Sequence, residues 1–451
     1  MNGDKQGAIS LTRRDALHIG LGTLLSSAVS ATGTRAQDDT QTADPTKQER
    51  LAISFWNFGL LSTGPNSLFH ALETHMAETV QRGFNCIRTE CGTGITHDAE
   101  GRPRGELEFY PVLPGHDHFT RELQHVRGGR VDLLKRLIEL CRVAKRYNVK
   151  LILSSWYYLH TFWFTDKNVT AELLGLPLEG RFMYFARGLD RILGELKQRG
   201  LADTIANAEI FNEVGDSGRL HAEALDFLQT RHPDIRFSLD TASAFIDPEI
   251  VPRNAQVWTF HSYYLWGVYS IFEQGLVFGD TDLNDPPVYA PVRPFLRRDL
   301  VSFQAILDSR EGRPPIAQNW FRRIWLYRNL DPNAMPELER MLQEHLEKNI
   351  DEFKQKATEA VKHAVKLRDE LLPGVPLMLG EGASYCADHR FRWEERSDAY
   401  WEVVEHAARA YREHGLWGAV ARTNSGPTDP VWQEYPERLR RANAVFLGEK
   451  T

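Results

Sequence analysis

The chain has 451 residues, 42% of them hydrophobic, 11% aromatic and 25% charged, the balance of a globular protein with a large core, which excludes general disorder. A formal charge of −7 with no long block of either sign leaves no electrostatic footprint for nucleic acid or an acidic membrane surface. A neutral, polar substrate suits such a chain better.

In chain order, the first feature is "LTRRDALHIGLGTLLSSAVSATGTRAQ". Adjacent Arg13 and Arg14, a modest apolar run from Ala16 to Ala31 and the small residues after it resemble a twin-arginine export signal over residues 1–36, cleaved after Ala31 or Ala36. The run is short and rich in Gly and Ser, whereas a membrane-spanning helix needs about 20 predominantly apolar residues. The expectation is passage through the twin-arginine export machinery to a periplasmic or secreted location, with no membrane span once the signal is removed. The polar stretch 37–50 reads as a linker.

From residue 51, strand-like apolar runs alternate with longer amphipathic ones. Runs at 51–57 (LAISFWN), 84–89 (FNCIRT), 149–156 (VKLILSSW), 204–213 (TIANAEIFNE), 235–240 (IRFSLD), 256–264 (QVWTFHSYY), 375–381 (VPLMLGE) and 416–423 (LWGAVART) have the length and apolar content of strands. Between most of them lie segments with apolar residues at i, i+3 and i+4, such as VDLLKRLIELCRVAKRYN at 131–148 and DAYWEVVEHAARAYREHG at 398–415, the mark of amphipathic helices. Gly415 suits a helix C-cap.

This alternation predicts an α/β fold, a (β/α)8 TIM barrel over residues 51–451. An open doubly wound sheet would carry a glycine-rich phosphate turn after its first strand, and NFGLLSTGPNS at 57–67 lacks the G-x-G-x-x-G spacing. Between the sixth and seventh strands, about 265–374 forms a long insertion with an aromatic, proline-rich part and a long polar helix pattern. A connection of that length is usually functional, and on a barrel it would overhang one rim, suggesting a pocket-like site for exo action or short substrates.

Cys86, Cys91, Cys141 and Cys386 are too few and scattered for a disulfide scaffold or a paired-ligand zinc site. Buried free thiols are the expected state, with a Cys86–Cys91 pair the alternative in an oxidising compartment. GHDHF at 115–119 offers two histidines without a third ligand, and neither a metal nor another cofactor is expected.

The active site of such a barrel lies at the C-terminal ends of its strands, so polar residues that end the apolar runs are the candidates. They are Arg88, Thr89 and Glu90; Ser155, Trp156, Tyr157 and Tyr158; Asn212 and Glu213; His261, Tyr263 and Tyr264; Glu381; and Arg422, Thr423 and Asn424. Two carboxylates from different strands suit glycosidic bond cleavage, in which one carboxyl protonates the leaving oxygen and the other attacks or stabilises the anomeric carbon. A gap of about 5–5.5 Å between them implies retention and one of roughly 6.5–9.5 Å inversion. Sugar rings stack their C–H faces on aromatic rings, which makes Trp56, Trp156, Trp266, Trp320 and Trp325 candidate platforms, with core packing the competing role for each. Asn424 could meet a sugar hydroxyl or serve as a turn residue. For Arg88 the competing role is a structural salt bridge, Glu90 being the nearest acid, and Glu209 sits deeper in its strand, where a buried, hydrogen-bonded role is expected.

These segments carry a resemblance. EIFNEV (209–214) resembles the E-I-x-N-E-P strand-four motif of glycoside hydrolase family 5, the cellulase family of clan A, and LMLGEGA (377–383) is similar to its strand-seven segment. GFNCIRTE (83–90) and FHSYY (260–264) match the family's strand-two arginine and strand-six His-x-Tyr. The resemblance implies Glu213 as acid/base, Glu381 as nucleophile, Asn212 as donor to the sugar 2-hydroxyl, hydrogen bonds from Arg88 and Tyr263 to Glu381, and His261 lining a site for a carbohydrate substrate. Physical logic agrees: a guanidinium and a phenol keep a nucleophilic carboxylate ionised, and an apolar neighbour such as Phe211 lets the other carboxyl hold its proton to higher pH. Val214 stands where the family has proline, LILSSWYY lacks its strand-three histidine, and Trp417 lies near the start of the last strand, so sugar specificity does not carry over. A barrel that binds glycans without cleaving them, and a transglycosylase using the same covalent intermediate, are the alternatives.

Overall fold

The computed structural model describes residues 49–63, 67–110, 128–156, 166–213, 218–277, 282–308, 318–384 and 390–450. In chain order its strands are β1 (Leu51–Asn57), β2 (Cys86–Glu90), β3 (Glu106–Phe109), β4 (Gly129–Asp132), β5 (Lys150–Ser154), β6 (Ile205–Glu209), β7 (Phe237–Thr241), β8 (Val257–Ser262), β9 (Leu377–Gly382) and β10 (Gly418–Ala419). β3 and β4 form a separate antiparallel pair. The other eight close into a parallel barrel in the order β1-β10-β9-β8-β7-β6-β5-β2, the (β/α)8 fold that the alternation predicts. Almost every residue of these eight strands is buried, as expected where helices cover the outside and neighbouring side chains fill the inside.

β1 coincides with its apolar run, and the other boundaries move by a few residues. The run at 204–213 is strand only to Glu209; beyond it the chain leaves the ladder, although the Asn212 N–H still reaches the Ser155 carbonyl at 2.7 Å. The run at 416–423 keeps two residues of regular ladder, yet Val420 N–H to Leu379 O (3.0 Å) and Thr423 N–H to Gly382 O (3.1 Å) carry it alongside β9. The β3–β4 pair escaped prediction because ELEF and GRVD are short and half charged.

The outer helices follow the apolar periodicity. Asp132 caps helix Leu133–Arg146 by accepting the Lys135 N–H at 3.1 Å, and the helix buries Leu133, Leu137, Ile138, Cys141 and Ala144, each large side chain contributing about 1.5–3 kcal/mol. Ser397 caps helix Asp398–Glu413, and Gly415 behind it takes φ +73°, a left-handed turn that a side chain would strain. One helix of the expected eight is missing: between β7 and β8 there is only the 3-10 turn Pro248–Ile250. Between β8 and β9 lie helices Trp266–Val277, Phe303–Asp308, Gln318–Asn329, Met335–Lys348 and Ile350–Leu371, the last packed against β8 and helix Asp398–Glu413.

Cys86, Cys91 and Cys141 are buried free thiols, so Cys86 and Cys91 do not pair, and burial pushes the Cys141 thiol up to about 12. No described helix is long and apolar enough to cross a membrane. The export signal, the GHDHF histidines, Cys386, Tyr157, Tyr158 and Val214 lie outside the described residues.

Candidate active site

From the middle of β2 one guanidinium organises the residues below the barrel mouth. Arg88 is fully buried and donates from Nε to Glu209 Oε2 (2.9 Å), from Nη1 to Glu381 Oε1 (3.0 Å), and from Nη2 to Asp240 Oδ2 (2.5 Å), Asn212 Oδ1 (2.6 Å) and Ser154 Oγ (3.2 Å). The Phe55 and Trp156 rings each lie 5.3 Å from its central carbon. Burial alone would lower its pKa, but Glu209, Asp240 and Glu381 outweigh burial and raise it. Glu90, the sequence neighbour that could have paired with Arg88, instead accepts backbone N–H groups of Gly92 (2.6 Å) and Trp156 (3.1 Å).

Glu381, on β9, takes a donor on each oxygen, Arg88 on Oε1 and the Tyr263 hydroxyl on Oε2. Glu213 follows β6 and reaches the mouth with its side chain 26% exposed, its Oε1 2.9 Å from His261 Nδ1. His261, buried on β8, turns Nε2 to Asp240 Oδ1 at 3.1 Å and to Glu381 Oε1 at 3.7 Å. Burial would depress the His261 pKa; the charges of Asp240 and Glu381 and bonds to Asp240 and Glu213 instead raise it well above the usual range. Four carboxylates, Glu209, Glu213, Asp240 and Glu381, thus face two cations, Arg88 and His261. Such an excess of negative charge favours positive charge developing on a bound sugar ring.

One oxygen of Glu213, one oxygen of Glu381 and one nitrogen of His261 lie within 4.8 Å of one another. A divalent cation could bridge that spacing, and the same contacts equally suit an imidazolium between carboxylates. One oxygen of each carboxylate therefore lies within 4.8 Å of the other. Backbone strain collects at the same rim. Asn57 (φ 38°), Glu213 (φ 57°) and Ala383 (φ 65°) are left-handed non-glycine residues at or just past the ends of β1, β6 and β9, and such strain clusters at functional sites.

The structure brings together Arg88, Asn212, Glu213, His261, Tyr263 and Glu381. It does not make platforms of most candidate tryptophans. Trp56 is 3% exposed and donates its Nε1–H to Ser54 Oγ (3.1 Å), Trp156 is wedged against Phe55 and Phe58, and Trp325 is buried. Trp266 is half-buried, edge-on to Tyr263 at 5.7 Å and beneath Arg323; the Trp320 side chain lies outside the described residues. Asn424 is buried in a narrow cleft with Trp56 and Asn57, Tyr264 is buried beside Tyr411 and Tyr400, and Arg422 pairs with Glu394 and Glu395. Sequence reasoning missed Asp240, although it ends the run IRFSLD just as Glu381 ends VPLMLGE, and the same rule would have found it. Glu209 has the buried, hydrogen-bonded place expected of it, held by Arg88 and by the Thr259 hydroxyl at 3.0 Å.

No family model matches the sequence, and no curated protein matches it. Solved structures do. A candidate glycoside hydrolase from Parabacteroides distasonis superposes with a TM-score of 0.60 at 16% identity, over 89% of this chain and 94% of that one. The two share the closed (β/α)8 barrel fold. A tri-modular family 5 endo-β-1,4-glucanase from Bacillus licheniformis (TM-score 0.46, 11% identity, 89% of this chain and 61% of that one) and a family 5 mannosidase from Rhizomucor miehei (0.46, 11%, 89% and 93%) are more distant. At such identities the likeness concerns the fold, and the chemistry has to be argued from the side chains.

Proposed function

We propose that the protein is a retaining O-glycosyl hydrolase in which Glu381 is the nucleophile and Glu213 the acid/base. The observation that carries this reading is the different placement of two adjacent carboxylates: both oxygens of Glu381 are held by Arg88 and Tyr263 with its side chain 5% exposed, whereas the Glu213 side chain is 26% exposed at the mouth, beside His261. Environments that differ in this way assign the two roles. In the first step Glu213 gives its proton to the leaving oxygen while Glu381 attacks the anomeric carbon, forming a glycosyl ester and breaking the C–O bond. In the second, Glu213 takes a proton from water, whose oxygen displaces Glu381. The Asn212 carbonyl accepts from Arg88, which turns its amide nitrogen away from the guanidinium and suits it to donate to a sugar hydroxyl.

A panel of aryl glycosides and polysaccharides tests the activity, with Glu381→Ala and Glu213→Gln as the decisive variants. Turnover lost in both, with the fold retained, supports the roles; undiminished turnover in either overturns them. Glycan binding by calorimetry with no cleavage by the wild type would make the protein a binding module instead. The export proposal rests on Arg13 and Arg14 with the run behind them. Residues 1–36 fused to a reporter should direct it out of the cytoplasm, and Arg13→Lys with Arg14→Lys should abolish this; a reporter retained inside with the native arginines contradicts the proposal.

A further inference from the structure

A histidine with a carboxylate at each ring nitrogen cannot satisfy both as a neutral imidazole, which carries one N–H and one lone pair. His261 is in that position: Glu213 Oε1 lies 2.9 Å from Nδ1, and Asp240 Oδ1 lies 3.1 Å from Nε2 in an ion-pair contact short of ideal hydrogen-bond alignment. Glu381 Oε1 stands a further 3.7 Å from Nε2, and the Tyr263 ring meets the imidazole edge-on at 6.1 Å. Room for the ring comes from Gly380 on β9, where a Cβ would lie 3.3 Å from Nε2 and 2.4 Å from Thr259 Cγ2. Asp240 is itself fixed, because its other oxygen accepts from Arg88 at 2.5 Å. Glu209 is occupied by Arg88 and Thr259.

We propose that Asp240 is a positioning residue that keeps His261 doubly protonated, so that Nδ1 presents a proton and a positive charge to Glu213. The proposal rests on the assignment of Glu213 as acid/base and adds its control. When Glu213 passes its proton to the leaving oxygen, the carboxylate left behind faces an imidazolium, which stabilises it without further proton movement. An imidazolium beside the acid stabilises its conjugate base, so removing that positive charge should move the basic limb of the pH–rate profile, where the acid is lost, upward. The groups facing His261 set its charge: Asp240 from β7, Glu381 from β9 and Glu213 from beyond β6, with Arg88 of β2 opposing them through Asp240.

The direct test is the 15N spectrum of histidine-labelled, full-length protein without ligand, with His261 assigned through His261→Gln. Both ring nitrogens of His261 should stay protonated from pH 6 to 8; a neutral ring at pH 7 overturns the proposal. Asp240→Asn keeps the size and an acceptor for Arg88 but removes the ionisable oxygen facing His261; burial pushes the Asp240 carboxyl up to about 7 against the pull of His261 and Arg88. In kcat/KM for an aryl glycoside with a poor leaving group, this variant should move the basic limb upward by about 1–2 pH units. An unmoved limb also overturns it. Should that variant fail to fold, the wild-type spectrum still decides. Failure of the underlying reading would show separately, as full activity in Glu381→Ala or Glu213→Gln whatever the state of His261.

Discussion

Two arginines, one in the middle of β2 and one just beyond β10, are fully buried and do opposite things. Arg422, just beyond β10, donates from Nη2 to Glu394 (2.7 Å) and Glu395 (2.6 Å), both fully buried, while the Tyr269 hydroxyl closes on Glu394 at 2.6 Å and the Tyr400 ring lies 5.4 Å away. Arg88 also gathers carboxylates, but two of the groups in its network, Glu381 and Asn212, stand beside the partly exposed Glu213. The first cluster ties the short helix Trp393–Arg396 to the barrel wall; the second leads to the mouth. A buried arginine in or just past a barrel strand is therefore not itself a sign of catalysis. What distinguishes the pair is whether the carboxylates they hold can meet a substrate.

The sharpest break of this comparison is Glu381→Ala, which should lower aryl glycoside turnover by about 10⁴-fold or more, the scale of a lost covalent nucleophile. Glu394→Ala in the Arg422 cluster should leave kcat/KM of the folded fraction unchanged. Next, Arg88→Met and Arg422→Met should each cost about 3–5 kcal/mol in urea unfolding, because both leave buried carboxylates unpaired. Only Arg88→Met should also reduce turnover per folded molecule; equal catalytic losses would erase the distinction. Tyr263→Phe removes one hydrogen bond to a charged group, about 1.5–3 kcal/mol, and should lower kcat/KM roughly 10- to 100-fold with little change in stability. The smallest effect is expected at Trp56→Phe, whose KM should match the wild type, since Trp56 is core; a tenfold rise would return it to the substrate surface.

The barrel was legible because eight apolar runs and the helical periods between them are local properties of the chain. So were the site residues whose type is unusual for a strand end: Arg88, Glu213, His261 and Glu381 all reach the mouth. The failures have physical reasons. A tryptophan at a strand end looks the same in sequence whether it faces a sugar or packs on Phe58, so Trp56 and Trp156 were misplaced. Arg422 satisfied the rule that found Arg88, because its partners Glu394 and Glu395 come from a segment with no strand pattern. Asp240 met the same strand-end rule, as the last residue of IRFSLD, and what the sequence did not announce is only its pair of long-range contacts, to Arg88 and His261.

The central claim is that Glu213 and Glu381 stand at a separation and in environments that support double displacement. The measurement that tests it most directly is the anomeric configuration of the first-formed product, read by proton NMR before mutarotation, on the best substrate of the glycoside panel. The account predicts the anomer of the substrate, with retention at the earliest time points. A product of inverted configuration would contradict it, because Glu381 could then not be the nucleophile.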